Sequence, residues 1–175
     1  DWVSYHDAIA GVTIDLTNTA AQAIGGGEGS DTLISIENVE GGFGNDTIIG
    51  DGADNVLDGL EGDDQISGGL GNDTLLGEFG NDTLTGGGGD DFLFGEEGTD
   101  VAVFVGNLAD YTIFDNGDGS ITVTDNVAAR DGIDMVSGIE TLRFLDGDQS
   151  VGALLGNTAP TATNLAAPET ATEDI

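Results

Sequence analysis

Between Gly41 and Val103 the sequence repeats every nine residues, seven times in succession and without an insertion. Position one is Gly in every copy, position four is Gly in six copies and position six is Asp in six copies; the exceptions, Ala53 and Asn55, both lie in the second copy. Position eight is small or aliphatic throughout: Ile48, Leu57, Ile66, Leu75, Leu84, Leu93 and Ala102. A fixed period of this kind predicts a repeat architecture in which each copy packs on its neighbours.

The copies resemble the RTX family, also called haemolysin-type calcium-binding repeats, whose consensus is G-G-x-G-x-D-x-U-x with U aliphatic. The resemblance implies an all-β fold, a right-handed parallel β-roll or β-helix solenoid with N-terminal cap strands and a C-terminal β-hairpin cap. Two nonapeptides then form one turn, as loop, strand, loop and strand. Turns stack about 4.8 Å apart, and position eight fills the interior.

Position six is expected to form two columns of side chains, one on each edge of the roll. Alternate copies place Asp46, Asp64, Asp82 and Asp100 on one edge and Asn55, Asp73 and Asp91 on the other. Carboxylates about 5 Å apart repel by roughly 3 kcal/mol at an effective dielectric near 20. A hard cation reverses the sign of that interaction, so the columns predict metal binding.

Calcium is the metal that this composition favours. Ca²⁺ takes oxygen ligands in flexible geometry, whereas Mg²⁺ prefers a strict octahedron. The chain has no Cys and one His, so zinc, copper and iron are poorly served. We expect several Ca²⁺ ions, about four to six, given the number of stacked pairs and the six to eight ligands that each ion takes.

The resemblance implies that main-chain carbonyls of the glycine-rich loops complete the coordination. The candidates are the carbonyls of Gly42, Gly44, Gly59, Gly62, Gly69, Gly71, Gly77, Gly80, Gly87, Gly89 and Gly95. A further nonapeptide, residues 26–34, contains Asp31. Only six residues separate it from the main run, so Asp31 is expected either to stack beneath Asp46 and add a site or to lie outside the column.

The charge excludes several classes of partner. There are 34 acidic residues against two Arg and no Lys, a formal net charge of −32, so binding to nucleic acid is disfavoured. No apolar run approaches the roughly 20 residues of a membrane span, and we expect no membrane insertion. HExxH, GxSxG and a Cys nucleophile are all missing from the sequence, so we expect no enzymatic activity.

Four segments are predicted. Residues 1–40 form an N-terminal cap with a first atypical repeat, 41–103 the seven repeats, 104–150 a C-terminal capping β segment, and 151–175 a linker or the start of a cadherin-like module. Within the third segment, Tyr111–Phe114 and Ile121–Thr124 alternate apolar and polar residues around a turn, which predicts a hairpin. We expect this hairpin to cover the outward-facing side chains of the sixth and seventh repeats, which are Phe92, Phe94, Val101 and Val103.

The function expected from the resemblance is a calcium-binding structural module of a large secreted bacterial protein, such as an RTX adhesin. Such a module is exported by a type I system and folds on Ca²⁺ at the cell surface or in the medium, as a monomer attached to neighbouring domains. The alternative is a polysaccharide-binding module. Two Arg do not provide a basic track for an anionic polymer, so only a neutral glycan stays open as a ligand.

Overall fold

The structure, a computed structural model, describes residues 1–156, and nearly all of its regular structure is β-strand. This range also contains a 3-10 turn at Leu108–Asp110 and helix α1 at Val151–Leu154. No helix among the described residues is long and apolar enough to cross a membrane. The predicted all-β fold is therefore confirmed. The predicted start of a cadherin-like module lies outside the described residues from residue 157 onward.

Nineteen strands occur in residues 1–156. Those before the repeats are β1 Trp2–Ser4, β2 Thr13–Asp15, β3 Gln22–Ala23 and β4 Ser30–Asp31. Those in and next to the repeats are β5 Asn38–Gly42, β6 Thr47–Ile49, β7 Val56–Leu60, β8 Gln65–Leu70, β9 Thr74–Leu76, β10 Phe79–Gly80, β11 Thr83–Gly88, β12 Phe92–Phe94, β13 Glu97–Gly98 and β14 Val101–Val103. Those after the repeats are β15 Tyr111–Asp115, β16 Ser120–Asp125, β17 Ile133–Ser137, β18 Thr141–Phe144 and β19 Gly147–Ser150.

Two sheets carry the repeats, and the chain crosses from one to the other with each nonapeptide. One sheet has the order β1-β5-β7-β9-β12-β17-β16-β15, and the other has the order β19-β18-β14-β11-β8-β6-β2. Neighbouring repeat strands within a sheet are parallel and eighteen residues apart, so that Leu57 pairs with Leu75 and Ile66 with Leu84. Every two nonapeptides thus add one strand to each sheet.

Position eight forms the core of the repeats. All seven of its side chains are 2% exposed or less. At the N-terminal end Ile14 continues the row beside Ile48 and Val39 continues the row beside Leu57; at the other end Val136 and Leu142 continue the two rows. Since full burial of a Leu or Ile side chain stabilises by about 1.5–3 kcal/mol, these rows are the main apolar contribution of the repeats. The prediction that position eight fills the interior is confirmed.

The strand beneath the first repeat comes from the beginning of the chain. β2 pairs in parallel with β6 and places Ile14 beside Ile48. The N–H of Val12, just before β2, donates a hydrogen bond of 2.8 Å to Oδ1 of Asp46. The lower end of this column of position-six residues is therefore closed by main chain.

Asp31 does not stack beneath Asp46. It lies in the antiparallel pair β3–β4 and accepts a hydrogen bond of 2.9 Å from the hydroxyl of Tyr5. The place beneath Asp46 is taken by Val12 and the strand that follows it, because that strand supplies Ile14 to the core. The prediction that Asp31 stacks beneath Asp46 and adds a site is therefore wrong.

After the seventh repeat the chain returns to both sheets. β17 pairs in parallel with β12, and β18 pairs in parallel with β14. The predicted hairpin is present as the antiparallel pair β15–β16, which joins the far edge of β17. It therefore extends a sheet instead of covering the repeat strands. Phe92 remains 45% exposed, contrary to expectation, while Phe94, Val101 and Val103 are half-buried.

Candidate metal-binding site

The side chains at position six bind the main chain of the turn that precedes them. The N–H of Asp64 donates to Oδ1 of Asp82 at 2.8 Å, and the same bond recurs along both edges. We call these columns the inner ladders: Asp46, Asp64, Asp82 and Asp100 on one edge, and Asn55, Asp73 and Asp91 on the other. All seven residues are 2% exposed or less. The stacked pairs predicted from the spacing are therefore brought together.

Position five forms a second set of columns on the surface, which we call the outer ladders. The hydrogen bonds of the outer ladders run in the opposite direction, because the side chain at position five accepts the N–H of the turn that follows it. The N–H of Asn81 donates to Oδ1 of Asp63 at 2.8 Å, and the N–H of Asp90 donates to Oδ1 of Asn72 at 2.9 Å. The position-five side chains are exposed. Each turn is thus hydrogen-bonded through side chains to both of its neighbours.

Five inner-ladder carboxylates keep one oxygen without a partner. Oδ2 is buried and receives no hydrogen bond in Asp64, Asp73, Asp82, Asp91 and Asp100. Burying an acceptor of this kind is costly, because the water that it loses is not replaced. Buried unsatisfied groups are uncommon in native proteins and call for a specific explanation, such as an ion. These oxygens are therefore the strongest indication of a ligand in the chain.

Position two of the nonapeptide distinguishes the five loops that contain an unpartnered oxygen from the loops of the first two copies. In the first two copies the N–H of Gly42 donates to Oδ2 of Asp46 at 2.7 Å, and the N–H of Asp51 donates to Oδ1 of Asn55 at 2.8 Å. We call these the closed loops. In the other five, the open loops, position two has positive φ: Leu60, Gly69, Glu78, Gly87 and Glu96. The open loops are the ones that contain the unpartnered oxygens.

Three of the position-two residues with positive φ are not glycine, and their φ angles lie between 67° and 73°. Left-handed backbone costs a residue with a side chain roughly 1–2 kcal/mol. Leu60, Glu78 and Glu96 nevertheless adopt it, so the loop as a whole imposes the conformation. Strain of this kind is commonly found where a ligand is held.

Position one is glycine because the carboxylate of the same copy fills the space that a side chain would need. A Cβ on Gly77 would lie closer than 3.0 Å to Oδ2 of Asp82. The same close approach to the position-six carboxylate occurs at Gly59, Gly68 and Gly86. The unpartnered oxygens therefore point into their own loops, against the main chain.

Main-chain carbonyls also crowd these edges. The carbonyl oxygen of Gly62 lies so close to Gly80, whose φ is +141°, that a Cβ there would overlap it. Equivalent contacts to the next turn are made by the carbonyls of Gly44, Gly69, Gly71, Gly80 and Gly89. The carbonyl of Gly42, in contrast, accepts the N–H of Glu61 at 3.1 Å. Whether any of the predicted carbonyls is a ligand remains a prediction.

Burial disfavours the charged form of the inner-ladder acids. Burial raises the pKa of Asp64 to about 7. The hydrogen bond from the Asp46 amide lowers this pKa, and the charges of Asp46, Asp82 and Asp63 raise it. Burial raises the pKa of Asp73 and Asp82 to about 6. The pKa values of Asp91 and Asp100 are raised by burial as well. A nearby cation would favour the ionised form of all five acids.

The donor set fits a hard cation. Each stacked pair offers two position-six side chains, and no group of three or more His, Cys, Asp or Glu in residues 1–156 converges to hold a metal. An ion at these edges would therefore take its remaining ligands from carbonyls or water, an oxygen set that suits Ca²⁺. Asp46 and Asn55, in the closed loops, already have their oxygens satisfied by N–H donors.

Two residues that continue the ladders were not predicted. Oδ1 of Asp134 accepts the N–H of Asp91 at 2.9 Å, and Oε2 of Glu140 accepts the N–H of Asp100 at 2.8 Å. The signal for Asp134 is present in the sequence, because residues 132–136 read Gly-x-Asp-x-Val, the spacing of positions four, six and eight. It was missed because the period is interrupted between the end of the seventh copy at Val103 and Gly132.

The family comparison agrees with the geometry. A family model described as RTX calcium-binding nonapeptide repeat, four copies, matches residues 40–75 and 67–102. The matched range contains every inner-ladder residue and stops before Asp134. No curated protein shows significant similarity to the chain.

Proposed function

We propose that residues 40–102, which match the family model of RTX calcium-binding nonapeptide repeats, form a calcium-binding structural module that folds when calcium binds and stabilises or spaces a larger secreted bacterial protein. The observation that supports the proposal most directly is the set of five buried, unpartnered carboxylate oxygens. Bound Ca²⁺ would supply positive charge and six to eight coordination positions for oxygen. The ligands proposed first are Asp64, Asp73, Asp82, Asp91 and Asp100; Asp46 and Asn55 follow, with the loop carbonyls.

For the architecture we propose a right-handed parallel β-roll over residues 41–103. The parallel pairing at intervals of eighteen residues and the alternation between two sheets support it. We further propose that residues 1–40 and 104–150 act as its caps. In support, both ends continue the two sheets, through β1 and β2 on one side and β17 and β18 on the other.

Without a cation, the chain's own residues oppose folding. The open loops bring buried carboxylates into stacked columns, where like charges repel. Ordering the backbone costs roughly 1–2 kcal/mol per residue, and the repeats contribute one buried aliphatic side chain per nonapeptide against it. We infer that the repeats are unfolded where calcium is scarce, as inside a cell, and fold where it is abundant. Such a difference suits export as an open chain.

A calcium titration followed by far-UV circular dichroism tests this function. The chain is first stripped with a chelator and then titrated with Ca²⁺, with Mg²⁺ at the same concentrations as the control. We expect a cooperative gain of β signal with Ca²⁺ and none with Mg²⁺. A chelated chain that already shows the full β signal, and does not change on addition of Ca²⁺, would refute the proposal.

A further inference from the structure

The inner ladder that contains Asp91 continues into a loop that lies outside the repeats. Oδ1 of Asp134 accepts the N–H of Asp91 at 2.9 Å, and Oδ1 of Asp91 accepts the N–H of Asp73 at 2.8 Å in the same way. The neighbouring outer ladder continues as well, since the N–H of Ile133 donates to Oδ1 of Asp90 at 2.9 Å. Residues 133 and 134 therefore make the hydrogen bonds that positions five and six of another copy would make.

The backbone of this loop also follows the repeat. Gly132 has a φ of +84°, and a Cβ there would overlap the carbonyl oxygen of Gly89, as expected for position four. Val136 pairs with Leu93 and is 1% exposed, as expected for position eight. Residues 132–136 are thus a structural copy of the second half of a nonapeptide, placed on the sixth repeat.

We propose that Asp91 and Asp134 together hold a further divalent cation, preferably Ca²⁺, between the sixth repeat and the segment 129–134, which leads into β17. This inference rests on the proposed function and extends it to residues outside the repeats. Oδ2 of Asp91 is buried and without a partner, so an unsatisfied oxygen is already present. Asp134 is 2% exposed, and the charges that act on it, those of Asp91, Asp131 and Asp90, are all negative.

A second group of contacts fixes the loop in place. Arg130 donates to both carboxylate oxygens of Asp125, at 2.6 and 2.7 Å, and also to Asp110 at 3.2 Å. Asp125 in turn accepts the N–H of Asp131 at 3.1 Å, and the hydroxyl of Tyr111 donates to Asp131. The guanidinium is therefore engaged by Asp125 and Asp110, and the segment that leads to Asp134 is held by these contacts.

Glu140 provides a natural comparison. It accepts the N–H of Asp100 at 2.8 Å, as Asp134 accepts that of Asp91, but it is exposed. Only residues 138–140 connect β17 to β18, where a repeat has six residues, and Ile139 in this short connection is 7% exposed. Because Glu140 is exposed and its connection is three residues shorter than the loop of a repeat, we assign the further cation to Asp134 and not to Glu140.

Calcium stoichiometry, measured by isothermal titration calorimetry and equilibrium dialysis on the full chain, tests the assignment. Asp134→Asn keeps an oxygen to accept the Asp91 N–H but removes the charge, and Glu140→Gln is the matched control. We expect Asp134→Asn to bind one Ca²⁺ fewer than the unchanged chain and Glu140→Gln to bind the same number. Equal numbers and affinities for Asp134→Asn and the unchanged chain would overturn the assignment, whereas a chain that binds no calcium at all would refute the proposed function.

The unchanged chain offers a second measurement, which applies even if Asp134→Asn does not fold. Amide hydrogen exchange in residues 132–137 is compared with that in residues 141–144, which follow Glu140, as Ca²⁺ is added. We expect the greater gain of protection in 132–137, because this segment contains the proposed ligand Asp134. An equal gain, or no gain in 132–137, would overturn the assignment.

Discussion

Asp63 and Asp64 are adjacent in the chain and hydrogen-bond in opposite directions. Oδ1 of Asp63 accepts the N–H of Asn81 in the following turn, and Oδ1 of Asp64 accepts the N–H of Asp46 in the preceding one. Asp63 is exposed, whereas Asp64 is 1% exposed and keeps an oxygen without a partner. Two neighbouring carboxylates therefore have different roles, and the same substitution at each can separate them.

Asp64→Asn should weaken calcium-induced folding, while Asp63→Asn should leave it nearly unchanged. Both changes keep an oxygen that can accept the main-chain hydrogen bond, so only the charge is lost. Because the number of charged ligands sets calcium affinity, we expect the Ca²⁺ midpoint to rise by about tenfold or more for Asp64→Asn. Circular dichroism titrations of both variants would check this, and equal midpoints would contradict it.

Gly77→Ala should destabilise the calcium-bound fold by about 1–3 kcal/mol, the usual cost of overpacking. Its Cβ would collide with the Asp82 carboxylate, so calcium affinity should fall as well. Gly52→Ala is the control, since a Cβ there meets nothing within 4 Å. Urea unfolding at saturating Ca²⁺ gives both free energies; a similar loss at the two positions would show that steric contact with the carboxylate is not the cause.

Leu75→Ala should lower the free energy of unfolding by about 2–5 kcal/mol, because it removes a fully buried side chain and leaves a cavity. The repeat core is only one side chain wide at each strand, so little can move in to fill the space. Leu70→Ala is the matched control, because Leu70 is 66% exposed. Denaturant titration at saturating Ca²⁺ would give the free energies of unfolding of the two variants. A loss for Leu75→Ala as small as that for Leu70→Ala would contradict the prediction.

Arg130→Lys should lower the melting temperature more than Arg143→Lys does. Arg130 binds Asp125, whose side chain is fully buried, with two parallel hydrogen bonds that a lysine cannot reproduce. Arg143 makes the same kind of pair with Asp148 where both side chains are about half exposed, and such pairs contribute little. Calorimetry of the two variants measures the difference, which should vanish if the pairs are equivalent.

The period made most of the repeat region predictable. Once nine residues repeat without a gap, the register of every strand follows, and position eight must be buried together with position six at each edge. What the period could not show is how each loop closes. Gly, Leu and Glu all occur at position two with positive φ, so the residue type does not reveal the open loops.

The errors lie where the period is interrupted. Residues 26–34 match the repeat locally, but the turn beneath Asp46 is supplied by Val12, 34 positions earlier in the sequence, and by the strand β2 that follows it. Asp134 was overlooked for the converse reason, because its loop is half a copy and returns to the stack after a long excursion. Local resemblance identifies a motif, but packing of the whole chain decides which segment occupies the next turn.

The opposite directions of the inner and outer ladders have a consequence for how the stack grows. A formed turn presents acceptors to the turn on one side through position six and to the turn on the other side through position five. Each turn is therefore a template in both directions, and its stability depends on nearest neighbours, as in a one-dimensional lattice. Assembly can begin at any adjacent pair of turns and spread towards both ends, and inserting eighteen residues would lengthen the rod without altering either terminus.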